Sequence, residues 1–217
     1  MENFLAYSLQ DLPYVIVTLL IAFTIHELAH AWVALLFGDD TAKNEGRITF
    51  NPMKHIDPIG FIFVIIAGFG WARPTPVNAY KMKHRRVGSV VVSLAGPVSN
   101  LLLAFIGMGL YFLFLLMDVS YSQIVLHFFD LFVSLNVILF IFNLLPLPPL
   151  DGYHIVAEFL PLKWRLKVQA YENYALLFFL ILVITPLSRY TITPIFNTLI
   201  PWITNEMASF YYFVFQI

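Results

Sequence analysis

The sequence predicts an all-α membrane protein, a polytopic helical bundle of about five to six membrane segments with a short re-entrant loop or β-hairpin after the first span. Three observations carry this. Apolar residues make up 60% of the 217 positions and charged residues only 12%, too few to cover a soluble globule. The stretch Val87 to Met117 runs for 31 positions without a charge, longer than the ~20 residues a helix needs to cross hydrocarbon. Eleven of the twelve Lys and Arg residues fall in three short connecting segments.

The elements follow in order. Leu12 to Phe37 is the first span. Met1 to Gln10 holds no Lys or Arg, so the basic front of a cleaved signal peptide is missing and this span is expected to be retained. Pro58 to Ala72 is apolar but only 15 residues long, and Gly60, Gly68 and Gly70 weaken it as a crossing helix. A re-entrant hairpin suits it better, and the basic residues agree. Lys43, Arg47 and Lys54 precede it, five more lie between Arg73 and Arg86, and Lys163, Arg165 and Lys167 come later. If Pro58 to Ala72 dips in and returns, all eleven share one face, which the positive-inside bias makes cytoplasmic, while the amino terminus and the Asp118 to Gln123 loop have none. Val87 to Met117 and Ile124 to Leu147 are the next spans. The tail after Tyr174, broken by Pro186, Pro194 and Pro201, divides into two further segments. There are no internal repeats, so residues 1–217 are expected to form a single domain with a core over 12–160 and C-terminal helices over 174–217.

Composition also excludes chemistry. Without cysteine there are no disulfides, thiolate ligands or cysteine nucleophile, so any metal must sit on His, Asp or Glu. Net charge is −1, and the basic residues are not interleaved with aromatics as in a nucleic-acid surface.

The first span contains His26-Glu27-Leu28-Ala29-His30. Histidines four apart share a helix face and can bind one zinc through neutral imidazoles. Glu27, about 100° round the axis, is placed to take a proton from a metal-bound water without being a ligand. An unpaired carboxylate at this depth costs at least ~2.5 kcal/mol, so ionisable residues there are usually functional. Zinc needs a third protein ligand if one position is to stay open for water. Asp151 is the strongest candidate, because Pro146, Pro148 and Pro149 break the chain after the third span and irregular backbone at membrane depth lines a site or a wet cavity. Asp57, His55 and His154 are the other candidates. Asn143 is placed either to stabilise an oxyanion and position substrate or to bond a neighbouring helix. Gly96 and Asn100, four apart, read as helix packing. The polar stretch Asn44 to Asn51 is expected to offer a short hairpin edge to an extended substrate.

Three motifs, His26-Glu27-x-x-His30, Gly96-x-x-x-Asn100 and Asn143-x-x-Pro146-x-Pro148-x-Leu150-Asp151-Gly152, stand in the order seen in the site-2 protease family of intramembrane metalloproteases, which the chain resembles. Asn51-Pro52-Met-Lys-His55-Ile-Asp57-Pro58-Ile-Gly60 resembles the compact prokaryotic members, and the likeness covers roughly Leu12 to Leu160. The chain departs from larger members in having no PDZ-like or CBS-like part. The resemblance implies His26, His30 and Asp151 as ligands of one Zn2+ per chain, Glu27 as general base, and hydrolysis of peptide bonds in or near transmembrane segments, often after another protease has shortened the substrate. The expected partners are a transmembrane protein substrate, the lipid bilayer and a regulatory membrane protein, with no nucleic acid. The expected place is a prokaryotic cytoplasmic membrane, the site toward the cytoplasm. The alternative is a transporter or cation-binding protein using the same cluster.

Overall fold

In α1, Leu12–Leu36, the buried residues Val15, Leu19, Ala22, Phe23, His26, Glu27, His30, Ala31 and Ala34 recur at intervals of three and four, so they share one helix face. The opposite face shows Val17, Ile21, Trp32 and Leu36 to the surroundings. Ionisable groups inside and aliphatic groups outside are what a lipid solvent selects. The computed structural model that displays this describes residues 7–68, 70–117, 122–170, 174, 177, 181–182 and 185–216.

After α1 come α2, Thr41–Asn44, α3, Pro58–Ala67, α4, Arg85–Leu116, and α5, Ser122–Asn143. They are followed by α6, Asp151–Phe159, α7, Leu162–Ala170, and α8, Ser188–Phe215. The 32-residue α4 is central and packs on α1, α5, α6 and α8. Its buried face carries small or polar residues, among them Gly88, Ser93, Gly96, Ser99, Asn100, Ala104 and Gly107, while Val91, Val98, Leu102 and Ile106 are exposed. Small side chains bring helix axes close where hydrophobicity gives no drive to associate. α8 seats Met207 among Ala104, Val133, Val137 and Ile141, and its Tyr211 hydroxyl donates to the Phe105 carbonyl at 2.9 Å.

Among the described residues the fold is all helical, and three helices, Leu12–Leu36, Arg85–Leu116 and Gln123–Asn143, are long and apolar enough to cross a membrane. The expected five to six segments are not reached by these. α8 has the length, at 28 residues, but Asn197, Asn205 and Glu206 dilute its apolar character. Most of the first expected tail segment, and the loop at 118–121, lie outside the described residues.

The β-hairpin alternative is corrected: no strand occurs among the described residues. Between 44 and 51 the chain turns at Gly46, with φ +67°, and then buries Arg47, whose guanidinium donates to the carbonyls of Arg73 and Pro74. A side chain holding two carbonyls replaces a strand ladder there. The segment after it leaves and comes back. Asp57 caps α3 by accepting from the Gly60 amide at 2.8 Å, and Gly68, with φ +76°, ends it. The Arg73 amide then donates to the His55 carbonyl at 2.8 Å, so the segment returns to where it left. Backbone lies on backbone in this hairpin, because a Cβ on Gly60 would sit 2.1 Å from the Trp71 carbonyl oxygen.

Gly60→Ala should therefore open the hairpin or strain it, lowering stability by about 1–3 kcal/mol. Thermal unfolding in detergent reads this as a lower melting temperature; parental melting would contradict the close approach.

Candidate metal centre

His26 and His30 both turn inward from α1 and are 7% exposed. Each ring is held by a second bond. His26 Nδ1 lies 2.6 Å from Asn100 Oδ1, and His30 Nδ1 lies 2.7 Å from the Val92 carbonyl oxygen. Carbonyl oxygens only accept, so both Nδ1 atoms carry the proton and both Nε2 atoms present lone pairs. Those Nε2 atoms are 3.0 Å apart, and they stand 3.2 and 3.4 Å from the carboxylate oxygens of Asp151. Two lone pairs and a carboxylate facing one point repel unless a cation stands between them. Asp151 Oδ2 is buried and makes no hydrogen bond, which leaves it free for such an ion. The donor set, two imidazole nitrogens and a carboxylate oxygen mutually within 4.8 Å, fits zinc with a position left for water.

Asp151 reaches this point because the prolines end α5 and the chain re-enters helix at Asp151, the first residue of α6. Gly152 makes the turn fit, since a Cβ there would lie 2.3 Å from the Leu144 carbonyl oxygen. From across the site, Gly96 of α4 keeps the space clear: its Cβ would fall 2.3 Å from His30 Nε2 and 2.5 Å from His26 Nε2. The spacing of Gly96 and Asn100 reads as packing, yet one clears the metal position and the other orients a ligand.

Glu27 is also buried, and its Oε2 has no hydrogen bond. Arg47 Nη2 lies 3.9 Å from that oxygen, so two charges withdrawn from solvent face each other. Thr75 donates to the Glu27 backbone carbonyl at 3.0 Å and ties the 70–78 segment, which has no regular secondary structure, to α1 beside the site. The groups open on a cavity of about 460 Å³, lined also by Trp71, Val77, Asn143, Pro149 and His154. The Asn143 amide donates to its own helix at the Leu139 carbonyl, 2.9 Å away, and keeps a second N–H.

The other candidate ligands are occupied or apart. His55 is fully buried with Nε2 on the Thr49 carbonyl, Asp57 caps α3, and His154 lines the cavity outside the cluster. Sequence reasoning missed Arg47 beside Glu27, and Asn136, which bonds Asn100 from α5 at 3.1 Å. Asn136 did leave a signal, an amide within an apolar run. Arg47 left none beyond its charge.

The profile of peptidase family M50 matches residues 14–121 and 115–185. The chain is 50% identical over 204 residues, 91% of itself and 92% of the relative, to a Bacillus subtilis protein named "Putative zinc metalloprotease YwhC". It is 33% identical over 195 residues to Rip2 of Mycolicibacterium smegmatis, which bears the same zinc-metalloprotease description, covering 83% of this chain and 73% of that one. MJ0611 of Methanocaldococcus jannaschii, again so described, is 31% identical over 144 residues, 66% of this chain and 65% of that one. No solved structure matches the chain significantly.

Gly96→Ala is expected to weaken zinc binding by ~10–100-fold, the range seen when a metal's surroundings are disturbed. Chelator competition measures this, and parental affinity would contradict the clearance assigned to Gly96.

Proposed function

The chain belongs to peptidase family M50, the site-2 proteases, and is a membrane zinc metalloprotease; we propose that it hydrolyses peptide bonds in or near transmembrane segments of other membrane proteins. The observation that carries this is the place of the site. His26, Glu27 and His30 lie on the buried face of a helix whose other face is aliphatic and exposed, and they open on a cavity between helices. A substrate reaching that cavity comes from the bilayer. The family membership sets aside the transporter alternative.

His26, His30 and Asp151 would hold the metal, one Zn2+ per chain. Zinc, when bound, polarises a substrate carbonyl and lowers the pKa of a water toward ~7. Glu27 takes a proton from the attacking water and passes it to the departing amide nitrogen as the C–N bond breaks, so one carboxyl serves as base and then as acid. Arg47 faces the Glu27 carboxylate, and Thr75 holds the Glu27 backbone. The free N–H of Asn143 is directed to the oxyanion or to a substrate carbonyl.

The same reading sets orientation. Because the chain returns between His55 and Arg73, the loops on either side of the hairpin lie together, and with 163–167 they gather eleven of the twelve basic residues. The positive-inside bias makes this the cytoplasmic side of a prokaryotic membrane. The metal ligands of α1 stand in its second half, toward that side. We read residues 1–217 as one protease domain, with a transmembrane substrate and a regulatory membrane protein as partners.

Glu27→Gln should retain zinc while losing ~10²–10⁴-fold in cleavage of single-span peptides. Asp151→Ala should lose both zinc and cleavage. Metal content and turnover of the purified proteins in detergent test this; unchanged turnover in both variants would overturn it.

A further inference from the structure

A line of hydrogen bonds crosses three helices and ends on a metal-site histidine. In α5, Asn136 Nδ2 donates to the Phe132 carbonyl at 2.8 Å. Asn136 Oδ1 accepts from Asn100 Nδ2 of α4 at 3.1 Å, and Asn100 Oδ1 accepts from His26 Nδ1 of α1 at 2.6 Å. Both asparagines are fully buried.

The direction of this line is not free. A hydroxyl can rotate to suit either neighbour, whereas a primary amide has one donor end and one acceptor end. The Phe132 carbonyl accepts only. Turning Asn136 over would set its oxygen against that carbonyl and its NH2 against the NH2 of Asn100. Asn100 would then have to turn as well, losing the Ala22 carbonyl 3.4 Å from its Nδ2 and presenting a donor to His26. His26 would have to accept at Nδ1 and carry its proton on Nε2, where it could not ligate a metal. In a buried site each such mismatch leaves unpaired polar groups.

We propose that Asn136 is a positioning residue that, through Asn100, holds His26 in the one tautomer able to bind the metal. This rests on the reading of His26, His30 and Asp151 as the zinc ligands. It also gives α5, which supplies none of those three, a fixed part in metal binding. The corresponding role for His30 belongs to a main-chain group, the Val92 carbonyl, which no substitution removes. The His26 side is therefore the one that depends on side-chain identity.

The test uses the full chain in detergent, with zinc affinity by chelator competition and the visible absorption of the cobalt-loaded protein. Asn136→Leu keeps the branching and the number of side-chain heavy atoms but removes the acceptor, and should weaken zinc by ~10–100-fold and alter the cobalt bands. Asn136→Ala removes the same acceptor without bulk and carries the same expectation if the leucine variant does not fold. Asn136→Asp keeps an acceptor for Asn100 whether or not it holds a proton, and should recover most of the loss. Val137→Ala, beside Asn136 in the core, should lower the melting temperature and leave zinc affinity alone. Parental affinity and spectrum in the leucine or alanine variant, or an aspartate variant as weak as they are, would overturn the proposal. Asp151→Ala with parental zinc affinity would instead overturn the ligand assignment beneath it.

Discussion

Two imidazoles, each anchored by its Nδ1 hydrogen on a carbonyl oxygen, aim their Nε2 lone pairs at one another and at the carboxylate of Asp151. In water such a convergence would relax, because solvent could insert or the rings could turn. Here the rings are buried and the anchors belong to helix α4, so neither relief is open. A cation relieves that repulsion, and with zinc the arrangement makes a metal centre with room for water. The histidine spacing in α1, the small residue at 96, the loop that lifts Asp151 and the amides behind His26 all serve that convergence.

The rest of the packing follows from keeping such a group in an apolar solvent. Polar side chains collect where α1, α4 and α5 meet, and aliphatic ones turn outward. Gly96 permits α4 to approach the two rings without filling the space between them. The buried Glu27 carboxylate is answered by Arg47, a loop residue whose other donors fasten the returning segment at Arg73 and Pro74. One guanidinium thus links the loop after α1, the hairpin and the proposed general base. The segment that borders the cavity and the proposed general base thus face the same side chain.

Much of this was legible in the amino-acid sequence, for identifiable reasons. The first three spans announce themselves by apolar length, and His26, Glu27 and His30 by helical spacing. Asp151 follows from prolines that cannot continue a helix. The return of the chain between His55 and Arg73 agrees with the short glycine-bearing segment that divides two basic loops. The β-hairpin at 44–51 was misjudged because its pattern is that of a strand, while Arg47 spends its side chain on carbonyls of the 73–74 segment. Gly96 and Asn100 were read as packing because spacing says that two residues share a helix face but not what stands opposite. Contacts such as Asn100 with Asn136 or Arg47 with Glu27 join residues 36 and 20 positions apart, and local pattern carries no trace of them.

The whole arrangement turns on one metal held by two imidazoles and one carboxylate. X-ray absorption at the zinc edge of the purified, active protein tests it directly. One zinc per chain is expected, with light-atom ligands only at ~2.0–2.2 Å and outer-shell scattering for two imidazoles. Scattering for three imidazoles would bring His154 or His55 into the ligand set and displace Asp151, and a single imidazole would break the pairing of His26 with His30; either result would contradict the account.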